Sequence, residues 1–352
     1  MHRPQSVLMV FAISLLAIPI ARASADPSIF TEAIPNSPPI TGGPAWCSIA
    51  VDSWNTPHLS FGDLQDGVWH VKGGINGWTA PEPIDAAGGI ATGIALDAFG
   101  RPSIAYIALT GTNPDVYTLK FARPLGSLWV VESVETGVYP TTSTTSLGLD
   151  AQGNPHIAYT TRDGNSFAVR YAKRYGGSWA IETVDPSASA PSLALDSAGR
   201  PHLAYLDATG SRLVYAHRIA GNWETENVES VVLSCALSLD ANDRPHIVFG
   251  ATHQEILTYA AKTGGSWTFE TIDPAPNPGG LRVAIVVASD GTPQVTATQV
   301  AATQVRYGTR DGSSWQTRCA YRGTFHMKPM RAPCSGMYSP PSARSRQATP
   351  SG

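Results

Sequence analysis

The sequence predicts an all-β protein, a β-propeller built from four-stranded antiparallel blades. A cassette of about 47 residues recurs six times, each copy has a turn aspartate, and each copy has a later tryptophan. The successive aspartates lie 45, 53, 46, 44 and 50 residues apart, which is the period of a propeller blade and not of a helical repeat. The turn aspartates are Asp52, Asp97, Asp150, Asp196, Asp240 and Asp290, and the tryptophans are Trp78, Trp129, Trp179, Trp223, Trp267 and Trp315.

The fourth cassette shows how one copy becomes one blade. Residues 192–196 alternate small and apolar side chains and predict the innermost strand, and the Asp-x-x-Gly-x-Pro sequence from Asp196 to Pro201 predicts a tight reversal. Residues 202–205 and 213–215 follow with period two, and Trp223 begins the fourth strand. A sheet this apolar on both faces needs a neighbour on each side, so the blades stack around an axis.

The ring has two possible closures. Residues 29–34 resemble a fourth strand, because Glu32 follows the bulky Ile29 at the spacing seen between Trp179 and Glu182. If they complete the last blade, six blades close the ring and hide its edge. The last copy also carries Trp315 and a fourth strand of its own, so the alternative is a seven-bladed ancestor that has lost its final three strands.

Three regions divide the chain. Residues 1–25 have the pattern of a signal peptide, in which His2 and Arg3 precede an apolar run and a small-residue cleavage site. This pattern predicts a secreted or periplasmic protein without membrane insertion. Residues 26–317 are the predicted propeller domain. Residues 318–352 are rich in Pro, Ser and Arg and predict a disordered tail, which a shifted reading frame would also produce.

Charge and cysteine content exclude several partners. Eight of the 24 Lys and Arg residues lie in residues 1–25 and 318–352, which contain no Asp or Glu, so residues 26–317 carry a formal charge of −11. An acidic body repels phosphate backbones, and no nucleic acid partner is expected. The four cysteines are too few for a disulfide scaffold, and Cys47 and Cys235 fall in separate blades, so we expect them to be thiols.

The repeated polar residues favour structural roles. His58, His156, His202 and His246 follow the turn proline in four separate blades, too far apart to bind one metal ion, and are expected to bond backbone or a neighbouring turn. A turn aspartate alone supplies too few oxygens for calcium and is expected to cap its turn. No hydrolase or P-loop motif is present, so neither a catalytic residue, a metal nor a cofactor is predicted.

Loop lengths point to a binding surface. The second-to-third and fourth-to-first connections vary between copies, with residues 108–116 and 136–145 among the longest. Both sets emerge on one face of a propeller, and variation between repeats marks binding loops. The candidate binding residues on this variable-loop face are Asp66, Asp115, Tyr139, Arg162, Asp163, Asp207, Arg212, His253 and Glu255.

The pattern Leu-Asp-x-x-Gly-x-Pro-His-Ile-Ala-Tyr, followed by Tyr-Ala and Gly-Gly-Ser-Trp-x-x-Glu-Thr-Val, resembles secreted bacterial propellers of the sialidase-like, Asp-box superfamily. The segment from Thr309 to Trp315 is close to an Asp-box but lacks the residue between Asp311 and Gly312. The resemblance implies a propeller with a bias towards glycans. It does not extend to sialidase activity, because the arginines that such a site requires are missing between Arg22 and Arg101.

The sequence therefore predicts an exported, monomeric recognition module, more consistent with a binding protein than with an enzyme. Its expected partner is a carbohydrate or a cell-surface protein, bound on the variable-loop face. A glycoside hydrolase or lyase of sialidase-like fold is the enzymatic alternative. A truncated or frameshifted product without function is the third.

Overall fold

The computed structural model of this chain describes residues 46–63, 67–74, 77–112, 115–138, 145–164, 166–209, 212–230, 232–251, 256–273, 281–299 and 304–322. Within these ranges the chain forms β-strands joined by turns, and none of the described residues is helical. The all-β prediction is confirmed. No described segment has the helical length and apolarity needed to cross a bilayer.

The strands group in chain order into six sheets. Blades 1 to 3 comprise β1 (Trp46–Val51), β2 (Pro57–Asp63), β3 (Gly67–Gly74), β4 (Gly77–Trp78) and β5 (Glu82–Asp85); β6 (Ile90–Leu96), β7 (Pro102–Gly111), β8 (Val116–Leu125) and β9 (Leu128–Val138); β10 (Ser146–Leu149), β11 (Pro155–Asp163), β12 (Ser166–Tyr175) and β13 (Ser178–Asp185).

Blades 4 to 6 comprise β14 (Ala188–Leu195), β15 (Pro201–Asp207), β16 (Arg212–Ile219) and β17 (Asn222–Ser230); β18 (Val232–Leu239), β19 (Pro245–Ala251), β20 (Leu257–Thr263) and β21 (Ser266–Asp273); β22 (Leu281–Val287), β23 (Pro293–Gln299), β24 (Gln304–Asp311) and β25 (Ser314–Arg322).

Each sheet is an antiparallel meander of consecutive strands, so the six-bladed propeller is confirmed. Blade 1 differs because its fourth strand is divided in two. β4 pairs with the end of β3 through Gly73 and Trp78, whereas β5 pairs with the start of β3 and places Glu82 opposite His70.

In blades 1 to 5 the turn between the first and second strands is organised by its aspartate, as expected. In blade 6, Ala288 holds that place and Asp290, the predicted turn aspartate, lies two residues later, so the prediction for Asp290 is wrong. In blade 4, Asp196 Oδ1 accepts the backbone N–H groups of Ala198 and Arg200 at 3.0 and 2.7 Å. In blades 1 to 5 the residue three positions after the aspartate has a positive φ, which is 73° for Gly199. Asp243 occupies this position in blade 5 with φ 61°, because aspartate is one of the few residues that tolerate it.

Aromatic rings join each blade to the next at a boundary that we call a seam. The third strand of one blade presents a ring to the fourth-strand tryptophan of the following blade. The pairs are Phe121–Trp179, Tyr171–Trp223, Tyr215–Trp267 and Tyr259–Trp315, with centroids 5.1 to 5.5 Å apart in edge-on geometry. The tryptophans are therefore packing anchors, as the repetition predicts.

Hydroxyl groups join the innermost strands near the axis. Ser48, Ser146 and Ser192 each stand four residues before a turn aspartate and accept a backbone N–H from the next blade. The donor of the Ser192 bond is Leu237, at 3.0 Å. Thr145 crosses the seam between blades 2 and 3 instead, donating from its backbone and hydroxyl groups to Ala91.

The last sheet has its own outer strand, since β25 pairs with β24 from Asp311 to Gln304. Residues 29–34, the alternative closing strand, lie outside the described residues. The repeat sequence changes where blade 6 would meet blade 1. Ala284 stands at the serine position, and Arg318, at the repeated glutamate position, lies over the Tyr307 ring at 5.0 Å.

Neither of the two cysteines with described side chains, Cys47 and Cys235, forms a disulfide, as the sequence predicts. They lie in β1 and β18, in separate blades. Burial raises the pKa of Cys235 to about 12, so this thiol stays protonated at neutral pH and is inert.

Candidate functional site

The two ends of the propeller differ in character. The turn face carries the aspartate turns and the third-to-fourth hairpins, and the variable-loop face carries the remaining connections. This follows from the antiparallel strand order, which alternates the connections between the two ends of each sheet. The sequence directs attention to the variable-loop face.

The structure describes part of the predicted binding set. Asp115 lies in the turn before β8 and is exposed, and Arg162 is exposed near the end of β11. Asp163 ends β11, where its backbone pairs with Ser166. The predicted residues outside the described ranges are Asp66, Tyr139, His253 and Glu255.

Asp207 and Arg212 lie together at one loop of this face. The buried Asp207 carboxylate accepts the Thr209 hydroxyl at 2.7 Å, and the Arg212 backbone N–H at 3.1 Å and side-chain Nε at 2.6 Å. These bonds shape the connection between β15 and β16. The residues bring a cation to the surface beside a carboxylate that organises its own loop, and their role in binding stays a prediction.

A second set of contacts crosses the seams near the variable-loop face. Asp85 at the end of β5 accepts hydrogen bonds from the Tyr106 hydroxyl and Lys120 Nζ of blade 2, both at 2.7 Å. Burial raises the pKa of Asp85, whereas the hydrogen bonds from Lys120, Tyr106 and the Ala87 amide lower it by a larger amount. The pKa of Asp85 is therefore below the ordinary value of an aspartate. The carboxylate is therefore ionised and locked in the seam.

Polar clusters recur on the other side of these seams, towards the turn face. In each of four seams, a fourth-strand glutamate of one blade bonds a third-strand cation of the next, and a tryptophan lies directly across the strand pair from that cation. We call these the seam clusters. They are Glu132–Arg174–Trp179, Glu182–Arg218–Trp223, Glu226–Lys262–Trp267 and Glu270–Arg310–Trp315.

The geometry of the seam clusters is similar in all four copies. The cation and carboxylate atoms lie between 2.5 and 2.9 Å apart, and the paired side chains are 22% to 34% exposed. Arg218 lies over the Trp223 ring at 5.8 Å, and Lys262 over the Trp267 ring at 5.9 Å. In the last cluster, the Trp315 indole Nε1 also donates to Glu270 at 2.9 Å. Each cluster thus reaches solvent while being held by two blades.

This set of groups suits the recognition of a hydroxylated ring. A carboxylate accepts two hydroxyl hydrogens, a guanidinium or ammonium group donates to the oxygens, and an indole packs on an apolar ring face. Each carboxylate is also bonded to a cation of the next blade, which fixes its position in the seam.

The repeated histidines form a separate, buried network inside blades 3 to 5. His156, His202 and His246 each bond the hydroxyl of a third-strand tyrosine at 2.5 Å and approach their own turn aspartate within 3.4 to 3.5 Å. Their partners are thus a tyrosine and the aspartate of the same blade, and the expectation of backbone or a neighbouring turn is corrected. Burial lowers the pKa of His156 to about 4, with Lys173 adding to the effect.

Over the described ranges, no three His, Cys, Asp or Glu side chains come together as ligands for one ion.

The sequence contained a signal for the seam clusters that inspection of single residues misses. A glutamate recurs three positions after Trp129, Trp179, Trp223 and Trp267, and a cation precedes each hairpin from Arg174 onward. Within one blade these residues are separated by the hairpin and look like a solvated surface. Their pairing appears only when consecutive blades are set side by side.

Comparison with known proteins yields fold similarity without a family. No protein-family model matches the chain, and no curated protein matches it. Among solved structures, a mutant of the Aleuria aurantia lectin in complex with Fucα1-6GlcNAc matches with a TM-score of 0.55 and 16% identity, covering 80% of this chain and 97% of the lectin. The fucose-specific lectin of the same fungus in a mercury-derivative form gives 0.52 and 15%, covering 78% and 94%.

A Hadza microbial sialidase matches with a TM-score of 0.49 and 12% identity, covering 72% of this chain and 63% of the sialidase. At these identities the lectin matches establish a shared propeller fold and nothing of the ligand. The likeness to the sialidase is too low to carry an argument. The sialidase-like, Asp-box assignment stays a prediction.

Proposed function

We propose that this protein is a non-enzymatic carbohydrate-recognition module that is exported from the cell. Repetition of the seam cluster is the observation that carries the proposal, since a carboxylate, a cation and an indole meet in partly exposed form at four successive seams. One such cluster is an ordinary structural ion pair. Four equivalent ones provide four equivalent subsites on one molecule.

The charge balance of a seam cluster indicates the class of sugar. Each cluster contains one carboxylate and one cation, so a neutral sugar adds no unpaired charge to the site. An ionised sugar would bring a second negative charge beside the glutamate, which costs free energy. We therefore expect neutral hexoses or deoxyhexoses to bind better than sialic or uronic acids. The lectin neighbours support a glycan only as an analogy of fold.

A glycan array with the purified protein tests the proposal. Binding to a set of neutral glycans is expected, and an array without bound protein would contradict it. The site is tested with the triple variant Glu182→Gln, Glu226→Gln and Glu270→Gln, which keeps the shape of three clusters and removes their negative charge. A loss of array binding of tenfold or more is expected, because hydrogen bonds to a charged group contribute about 1.5 to 3 kcal/mol each.

A matched control separates this effect from a general change in charge. Glu224 is exposed on the same β17 strand as Glu226 but lies opposite His217, away from the Lys262 side chain. The Glu224→Gln variant should bind like the unmodified protein. If the triple variant also binds normally, the seam clusters are not the site. The paired variant Asp207→Asn with Arg212→Ala then tests the predicted variable-loop face.

A further inference from the structure

Blade 1 departs from the histidine network of blades 3 to 5 in one residue. The third-strand position that holds Tyr171, Tyr215 and Tyr259 in blades 3 to 5 holds His70 in blade 1, since His70 pairs with Ser60 in the same register. His58 Nδ1 and His70 Nε2 are 3.0 Å apart, and the two rings stack with centroids 5.2 Å apart. An imidazole has thus replaced a phenol.

The replacement extends the network to the surface. His70 Nδ1 lies 3.3 Å from Glu82 Oε2, and the Glu82 side chain is 49% exposed. At the other end, His58 Nε2 lies 3.6 Å from Oδ2 of the buried Asp52. We call this chain of four side chains the relay. It runs from a buried carboxylate to a solvent-facing one.

Counting hydrogens distinguishes the relay from the networks of blades 3 to 5. In those blades there are two links, from tyrosine to histidine and from histidine to aspartate, and the phenol and a neutral imidazole supply one hydrogen each. The relay has three links and two neutral imidazoles, which supply two hydrogens. Its carboxylates supply none when ionised. The relay is therefore one hydrogen short of complete bonding.

We propose that the relay is an acid-sensing element, in which the His58–His70 pair takes up one proton from solvent and so completes the bonding from Asp52 to Glu82. The added proton makes one imidazole a double donor. All three links then have a hydrogen, and Glu82 is tied to the core of blade 1. No other group needs to change its protonation.

The groups around His58 and His70 determine the pH at which the pair takes up a proton. Lys72 Nζ lies 3.7 Å from Asp52 and is the facing cation. From blade 2, the Trp129 ring contacts His70 at 5.7 Å, and Gly100 approaches Asp52. Burial lowers the pKa of His58 to about 4, with His70 and Lys72 adding to the effect. Burial also lowers the pKa of His70, and Glu82 opposes this. Proton uptake is therefore expected below pH 6.5.

The consequence reaches the neighbouring blade through β5. Glu82 begins β5 and Asp85 ends it, and Asp85 binds Tyr106 and Lys120 of blade 2. Tying Glu82 to His70 therefore orders the strand that carries this seam contact. Proton uptake should hold β5 to β3 more firmly, a local response that the tyrosine-containing blades lack. The lowered pKa values of His58 and His70 mean that acid also reduces the overall free energy of unfolding, as it does for His156.

Histidine-selective NMR titration of the full chain tests the proposal. In the unmodified protein, His58 and His70 should titrate as a coupled pair. In the Glu82→Gln variant, the first step should move down by about one pH unit, because the carboxylate that accepts from His70 is lost. The His70→Tyr variant restores the repeat residue, and His58 should then titrate like His156. The exposed Glu224→Gln control should change neither histidine.

Hydrogen exchange supplies a structural readout. After correction for intrinsic rates, the β5 amides should gain protection between pH 6.5 and pH 4 in the unmodified protein but not in Glu82→Gln, while β13 amides should not gain. An unchanged first titration step in Glu82→Gln would overturn the proposal. So would independent titration of His58 and His70, or β5 protection that does not depend on pH.

Discussion

Blade 4 and blade 1 use one strand position for two purposes. In blade 4, Tyr215 stands between His202 and the tryptophan of the next blade, and its hydroxyl bonds His202 Nδ1 at 2.5 Å. In blade 1, His70 stands between His58 and Trp129 and continues to Glu82. In both blades a flat ring packs on the tryptophan of the next blade, whereas the polar group that the ring presents to the histidine differs.

The two blades should differ most in how much stability the ring at this position contributes. Replacing Tyr215 by Ala removes a ring that is 2% exposed and packs on Trp267 across the seam. A loss of about 3 to 5 kcal/mol in the free energy of unfolding is expected, as for other buried aromatic residues.

His70→Ala is the matched variant in blade 1. It removes a smaller ring that is 6% exposed, and the loss should be about 2 kcal/mol. Urea unfolding followed by tryptophan fluorescence measures both values. An equal or larger loss for His70→Ala would contradict the claim that the tyrosine blades depend more on this contact.

Acid should weaken the tyrosine-containing blades. The pKa of the fully buried His156 is lowered to about 4, from an ordinary value of 6.5. The unfolded chain therefore binds a proton between these values while the folded chain does not. Stability is constant above pH 6.5 and falls as pH drops towards 4, by about 3 kcal/mol for this residue.

His156→Gln tests this sign, because glutamine keeps a polar group near Tyr171 and Asp150 but does not titrate. The decrease in the free energy of unfolding between pH 7 and pH 5 should be smaller in this variant than in the unmodified protein. Parallel pH dependences for the two proteins would show that His156 is not buried in its neutral form.

The repeats made the fold readable from the sequence, because the period repeats at every blade and the aspartate turn repeats in blades 1 to 5. Asp196, Gly199 and Trp223 each determine a local feature that the structure contains. The contacts that carry the proposed function depend on two blades at once. Glu182 and Arg218 are 36 residues apart in the chain, and nothing within either blade indicates that they meet.

In blade 1, too, the sequence does not show which side chains come into contact. His70 is visible in the sequence as a departure from the repeated tyrosine, but its meaning depends on Glu82. The spacing from Trp78 to Glu82 is four residues instead of three, and the fourth strand is divided between them. This irregularity turns the glutamate towards its own blade. Sequence spacing alone does not reveal that a shift of one residue replaces a seam cluster by a relay.

The aspartate turns of blades 5 and 2 differ in the second-strand residue that follows the turn proline. Asp240 accepts the backbone N–H groups of Asn242 and Arg244 and the Arg244 side chain, and its Oδ2 lies 3.4 Å from His246 Nε2. Its side chain is 2% exposed. Asp97 makes the same turn but has Ser103 in place of the histidine and is 17% exposed. Asp240→Ala should cost about 2 kcal/mol and Asp97→Ala about 1 kcal/mol. Equal losses would assign the whole effect to turn capping.

The smallest effect concerns two hydroxyl groups that cross the seam between blades 4 and 5. Ser192 Oγ accepts the Leu237 N–H near the axis at 3.0 Å, and Ser197 Oγ donates to Asp243 at 2.6 Å on the exposed turn face. Ser192→Ala leaves a partly buried N–H without its acceptor and should cost about 1 kcal/mol. Ser197→Ala exposes both partners to water, which replaces the bond, so the unfolding midpoint should hardly move. If the two variants lose equal stability, the axis contacts are no more important than surface contacts, and the seams are held by their aromatic rings and ion pairs alone.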